Sequence, residues 1–249
     1  TIGRRQRQMC IRDSNYLEEA FYIWTKKLGK EHLRIAANLN EQAVVYRKLN
    51  KSKLAIDLLE KVLVIRKKYL GEEHTAVAIT INNLGNCYVS LKEYETALKL
   101  HQKAFEIRLK CFGKEHPYIA MSLHNLACVY FSLKNYDKTI KYSEKSLAIR
   151  YKILEHTHSD IARDLANIGR CFFAQKKYLN AISYFQQALQ IIFPNLNQKQ
   201  IYKNPNIETY RESYLLFQLL ELKGLAFLDY YTEQSQHICL LYTSPSPRD

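Results

Sequence analysis

Eight histidines and six cysteines are the residues of this chain that could ligate a metal or pair a nucleophile with a base. Their spacing supports neither role. There is no C-x-x-C pair and no Cys/His combination at the separations a structural zinc site uses. The sequence also lacks a Gly-rich phosphate loop, an H-E-x-x-H pair and an acidic calcium loop. The stretch "EHTHSD" sets His156 and His158 two residues apart, but two ligands are too few for a closed site. No metal, no cofactor and no catalytic residue is therefore expected. An enzyme contained within the chain is the weakest functional reading.

Amides and guanidinium groups at helical spacing are better placed for chemistry, and that chemistry is binding. Asn83, Asn125 and Asn167 recur at a 42-residue step. A primary amide accepts from a peptide N–H and donates to a peptide carbonyl at once, so a ladder of them can grip an extended backbone. Arg163 and Arg170 lie two helical turns apart and can take a carboxylate through paired N–H donors. The candidate groove combines Asn40 and Arg47, then Asn82, Asn83 and Asn86, then His124 and Asn125, then Arg163, Asn167 and Arg170. These positions are expected to form an exposed stripe that meets a peptide or protein partner, acidic where it reaches the arginines. The competing reading of the asparagines is that they bond to the neighbouring helix.

The elements that position these groups follow from a repeat. His32, His74, His116 and His158 stand 42 residues apart, and other columns keep the step. Ala43, Gly85, Ala127 and Gly169 form a small-residue column; Tyr46, Tyr88, Tyr130 and Phe172 an aromatic one; Ile65, Ile107, Ile149 and Ile191 an aliphatic one. Each unit reads as two helices joined by a short polar turn, the first placing Ala120, Leu123, Ala127 and Tyr130 on one face. Gly29, Gly71 and Gly113 follow second helices, where a left-handed C-terminal cap is expected. The histidine column falls at the start of each first helix, as a loop or cap residue would. One helix pair cannot bury its apolar face alone, so the units must stack.

The stretch "INNLGNCYVSLKEYETALKLHQKAFEI" resembles the tetratricopeptide repeat in its 42-residue form, found in kinesin light chains and many bacterial proteins. The resemblance runs from about Asn15 to Phe193. It implies an all-α, right-handed superhelical solenoid whose first helices line a concave binding surface. Repeat 1 spans 32–73, repeat 2 spans 74–115, repeat 3 spans 116–157 and repeat 4 spans 158–194. Residues 15–31 match the second helix of a truncated unit.

Residues 1–14, including "RRQRQMCIRDS", and residues 239–249, "CLLYTSPSPRD", are similar to translated transposase-type sequencing adapters. They are expected to be foreign, leaving residues 15–238 as an internal fragment of a longer reading frame. Removing the first fourteen residues, with four Arg and one Asp, lowers the formal charge from +13 to +10. It also removes Cys10, while Cys239 leaves with the far end. Cys87, Cys111, Cys128 and Cys171 remain, expected as packing thiols in a reducing cytoplasm.

Beyond repeat 4, residues 195–206 read as a linker and 207–238 as a helix of a further, truncated unit. Residues 184–237 resemble the segment that closes the repeat region in bacterial CHAT-domain proteins. That likeness implies a recruitment region ahead of a caspase-like effector, with the effector's catalytic His and Cys lying elsewhere. The alternative is a kinesin-light-chain-like cargo adaptor region. A nucleic-acid-binding solenoid ranks below both, because the lysines are dispersed and most aromatics occupy packing columns. No apolar run reaches the roughly 18 residues of a membrane span, and no secretory signal is visible.

Overall fold

A computed structural model of the chain describes residues 2–192, 221–226, 228–230 and 232. Every element among these residues is an α-helix. In chain order they are α1 (Ile2–Leu28), α2 (Leu33–Lys48), α3 (Ser52–Leu70), α4 (Thr75–Ser90), α5 (Tyr94–Phe112), α6 (Pro117–Ser132), α7 (Tyr136–Ile153), α8 (Ser159–Ala174) and α9 (Tyr178–Ile192). They fall into two compact units, Thr1–Lys134 and Asn135–Asp249. The division lies between the two helices of repeat 3, which no sequence column marks. The expected linker at 195–206 and the end segment 239–249 lie outside the described residues. Of the helix expected over 207–238, the residues described are helical. α1 runs unbroken through residues 14 and 15, so the boundary expected there leaves no mark on the backbone.

The histidine column starts the first helices. His32, His74, His116 and His158 are the N-caps of α2, α4, α6 and α8, each in extended backbone. In each, Nδ1 accepts from the N–H two residues on, at 3.1 Å (Arg34), 3.0 Å (Ala76), 3.2 Å (Tyr118) and 3.2 Å (Asp160). That satisfies one of the donors a helix start leaves open.

The turns inside each pair need a residue with positive φ, and it is never glycine. Asn50, Lys92, Lys134 and Lys176 hold φ of 61°, 63°, 58° and 59°. Around Lys92 the bonds are those of a Schellman cap: its N–H donates to Val89 O at 3.0 Å and Glu93 N–H donates to Tyr88 O at 2.9 Å. The glycines sit between pairs and do something else. Gly71 (φ 82°, ψ 164°) and Gly113 (φ 73°, ψ −169°) are not left-handed caps. They occupy a region only glycine enters without strain, which turns the chain sharply towards the next histidine.

Packing is set by the small column. A Cβ on Gly85 would lie 2.8 Å from the His101 ring, and one on Gly169 would lie 2.6 Å from Phe185. Where the facing ring is large the column holds Gly. Where Leu59 shares a core cluster with position 43 the column holds Ala. Cys87 and Cys171 are 1% and 0% exposed, as expected of packing thiols, and burial pushes the Cys87 thiol up to about 11. Cys128 is half-buried and Cys111 is exposed, so the packing role expected of Cys111 is corrected.

A second column holds consecutive repeats together. Arg66 donates to Ala76 O and Thr80 Oγ1, both at 2.8 Å. Arg108 donates to Ser122 Oγ at 2.7 Å. Arg150 meets the Asp164 carboxylate at 2.9 Å. Each guanidinium comes from a second helix and reaches the first helix of the next repeat. The exposed pairs Lys68–Glu31 and Lys110–Glu73 recur at the same step, but at the surface such pairs contribute little.

Candidate functional site: the first-helix face

Two neighbouring columns of the first helices have opposite characters. Positions 43, 85, 127 and 169 are Ala, Gly, Ala and Gly, all buried. Positions 44, 86, 128 and 170 are Val, Asn, Cys and Arg, all half-buried. The first column packs against the second helix and stays small. The second faces away from that packing and changes in every repeat.

In the first unit the structure brings the expected amides together. Asn83 donates from Nδ2 to Asn40 Oδ1 at 3.1 Å, and Asn125 donates from Nδ2 to Asn82 Oδ1 at 2.8 Å. Asn40 in turn donates to Glu41 Oε1 at 3.3 Å. The bond to a neighbouring helix is therefore real, and four of the asparagines take part in it. Asn83 and Asn125 stay half-buried, each with an amide oxygen and a second N–H beyond the bond just described.

The stripe is less open than expected. Asn40, Asn82 and Asn167 are 3%, 5% and 6% exposed. The expectation of an exposed stripe is corrected for these three, and Asn40 and Asn82 lie on the side of the helix turned to the next first helix. Asn83, Asn86, His124, Asn125, Arg47 and Arg170 are half-buried, and Arg163 is exposed. Asn86 uses its backbone carbonyl to accept from Ser90 Oγ at 3.1 Å. Arg47 lies close enough to Cys87 to oppose the rise of that thiol.

The second unit carries its own share, with charge in place of amides. Arg163 donates to Asp160 Oδ1 at 2.7 Å. That pair spans one turn at the start of α8, with the arginine side chain 52% exposed. Arg170 lies two turns further along the same helix.

The histidine pair considered for a metal separates into two tasks. His158 caps α8, whereas His156 lies against the Tyr151 ring at 5.6 Å between centroids. Among the described residues no group of three or more His, Cys, Asp or Glu is placed to hold a metal ion.

Sequence reasoning missed two features of this face. Cys128 Sγ lies 3.5 Å from His124 Nε2, one helical turn apart on α6. The four-residue spacing was the available signal. It also missed that Glu41 anchors the Asn83–Asn40 bond, because it treated the stripe as amides alone.

The tetratricopeptide repeat pattern matches residues 14–68, 39–110, 76–152 and 118–192 of the chain. Among solved structures, a variant of a candidate kinesin light chain of Podosopora anserina, with nearly identical TPR-like repeats, is similar at 26% identity. That similarity covers 76% of this chain and 91% of that one, with a TM-score of 0.61. BtubC (BKLC) from P. vanneervenii is 16% identical over 100% of this chain and 96% of its own, at a TM-score of 0.64. The apo form of RapI is 21% identical over 93% of this chain and 58% of its own, at 0.65. The last two likenesses are of fold alone. No match was found among curated protein sequences. Among the described residues no helix is long and apolar enough to cross a membrane.

Proposed function

Because the chain belongs to the tetratricopeptide repeat family, we propose that it is a protein-interaction scaffold whose first-helix faces bind a peptide or a partner protein. One observation carries this reading. The column that packs stays small, Ala or Gly throughout, while the column beside it, at 44, 86, 128 and 170, holds Val, Asn, Cys and Arg. Buried packing columns vary too, as Leu59, His101, Ser143 and Phe185 do, but the column at 44, 86, 128 and 170 varies where its side chains are half-buried and within reach of a partner. On α8 the partner carries carboxylates, because Arg163 and Arg170 present donors suited to them.

In its longer context the scaffold recruits that partner to an attached caspase-like CHAT effector domain, a reading supported by the resemblance over residues 184–237. The second reading is a kinesin-light-chain-like cargo adaptor region, favoured by the 26% identity with the Podosopora repeats. The flanking reading frame separates them. Downstream sequence with a peptidase-type His and Cys supports the first, and upstream coiled-coil heptads support the second.

The binding test uses a panel of acidic decapeptides and fluorescence anisotropy on the full chain. Arg170→Glu is expected to weaken the best binder by about tenfold or more, since a charge-assisted hydrogen bond is lost and repulsion added. Affinity untouched by both Arg170→Glu and Arg163→Glu would remove the α8 face from the binding surface.

A further inference from the structure

The described cysteines, Cys87, Cys111, Cys128 and Cys171, differ in their surroundings. Cys171 is buried in the packing of its repeat. Cys87 is buried too, and burial holds its thiol protonated. Cys111 is exposed, but its Sγ donates to the Glu73 carbonyl at 3.2 Å. A thiol that donates to a carbonyl keeps its proton, because the thiolate forfeits that bond. Cys128 is half-buried, and its Sγ lies 3.5 Å from His124 Nε2.

An imidazole at that distance serves as a base and then as a counter-charge. While Nδ1 carries the proton, the thiol donates to Nε2. After proton transfer, the imidazolium Nε2–H donates to the thiolate. The hydrogen bond thus survives ionisation at Cys128, whereas at Cys111 it is lost. That difference separates an activated thiol from an inert one.

Helical spacing brings the two groups together, one turn apart on α6. α6 carries no Asp, Glu, Lys or Arg, so no charge on that helix competes for either group. The pair is particular to repeat 3. In the other repeats the same two positions hold Asn40 and Val44, Asn82 and Asn86, and Ala166 and Arg170, none of which sets a thiol beside a base.

We propose that Cys128 is a modification site, a thiol that exchanges with low-molecular-weight disulfides with His124 as its base. His124 Nε2 takes the thiol proton, and the thiolate attacks one sulfur of the disulfide. A bond forms between Cys128 Sγ and that sulfur as the S–S bond breaks. The departing thiolate takes the proton from the imidazolium, so a small thiol leaves and a mixed disulfide remains. On the scaffold reading above, the attached group stands in the variable column and covers the α6 face. Exchange and partner binding then exclude each other there.

The test uses the full chain, oxidised glutathione, and peptide mapping of the mixed disulfides over time. A thiolate's nucleophilicity falls with its basicity, so the contrast is widest on the acid side of neutrality, where an ordinary thiol holds little thiolate. At about pH 6, Cys128 is expected to react about tenfold faster than the more exposed Cys111. His124→Gln should slow Cys128 about tenfold and abolish its ultraviolet thiolate absorbance, with Cys111 unaffected. Circular dichroism confirms that the variant is folded. Equal rates at the two cysteines of the parent chain overturn the proposal, as does a Cys128 rate indifferent to His124→Gln. Anisotropy tests the exclusion. A panel peptide should lose affinity when the parent chain is glutathionylated and keep it in the Cys128→Ser chain treated alike. A panel that binds but is indifferent to the adduct overturns the exclusion and leaves the exchange site standing. A panel that does not bind at all overturns the scaffold reading instead.

Discussion

The joint between α4 and α5 and the joint between α8 and α9 are built to one plan with different chemistry. In each a first-helix glycine lets a second-helix ring approach to within contact of the backbone: His101 over Gly85, Phe185 over Gly169. Phe185 is apolar and belongs to the largest core cluster of its unit. His101 is 1% exposed, and neither ring nitrogen has a hydrogen-bond partner. Burial, aided by the nearby Arg108 charge, lowers its pKa from 6.5 to about 4. The arginine column shows the same contrast. Arg150 meets a carboxylate buried to 0% exposure, whereas Arg108 meets only a serine hydroxyl and the Tyr118 ring at 5.4 Å. Burial lowers the Arg108 pKa to about 10. Shape is what the repeat holds constant, and the polarity of the group filling that shape is free to vary. At this rung the second unit meets its buried guanidinium with a carboxylate, whereas His101 and Arg108 in the first are less well matched.

Breaking the ion pair has the largest expected effect. Asp164→Ala leaves the buried Arg150 with the Asp160 carbonyl and the more distant Asp160 carboxylate at 3.7 Å, and should cost about 3 kcal/mol in chemical denaturation. Asp164→Ser copies the Arg108–Ser122 arrangement and should recover a good part of that loss. Equal losses in the two variants would show that the hydroxyl and the carboxylate are not equivalent fillers of one site.

Next comes the histidine. Its folded-state pKa is depressed, so the unfolded chain takes up the proton first as pH falls. The stability His101 contributes is complete above pH 6.5 and is lost as the pH drops from 6.5 towards 4. The loss is on the order of 3 kcal/mol. His101→Phe turns this joint into a copy of Gly169–Phe185 and should flatten the pH dependence over that window. Identical pH profiles for the two proteins would contradict the assignment. A smaller effect is expected at the unit-1 rung, where Ser122→Ala removes a hydrogen bond to a charged group and should cost about 1–2 kcal/mol in the same denaturation measurement.

Much of this fold was legible in the sequence because its columns are spaced by whole repeats. The histidine column located every first-helix start, and the small column located the close approaches. The Arg66, Arg108, Arg150 column and its partners Thr80, Ser122 and Asp164 keep the same step. They were passed over because a charged residue on a helix ordinarily reads as solvated, and only the three-dimensional stack turns it inward. The left-handed turn positions went unseen for a related reason: Asn50 and three lysines fill them where glycine was the signal sought. At the candidate site exposure was not legible. Periodicity fixes which face a side chain is on, but not how closely the next first helix covers it, which is why Asn40 and Asn82 proved buried.

The central claim is that packing and binding occupy adjacent columns, and two adjacent residues on α8 test it. Gly169→Ala and Arg170→Glu are compared with the parent chain by melting temperature and by anisotropy with the same acidic decapeptide. Gly169→Ala should lower the melting temperature, because its Cβ would sit 2.6 Å from a buried ring, and leave the affinity of the folded protein unchanged. Arg170→Glu should change the melting temperature less than Gly169→Ala does and weaken binding about tenfold. If Arg170→Glu instead lowers the melting temperature and leaves affinity intact, the variable column is part of the packing and the account is wrong.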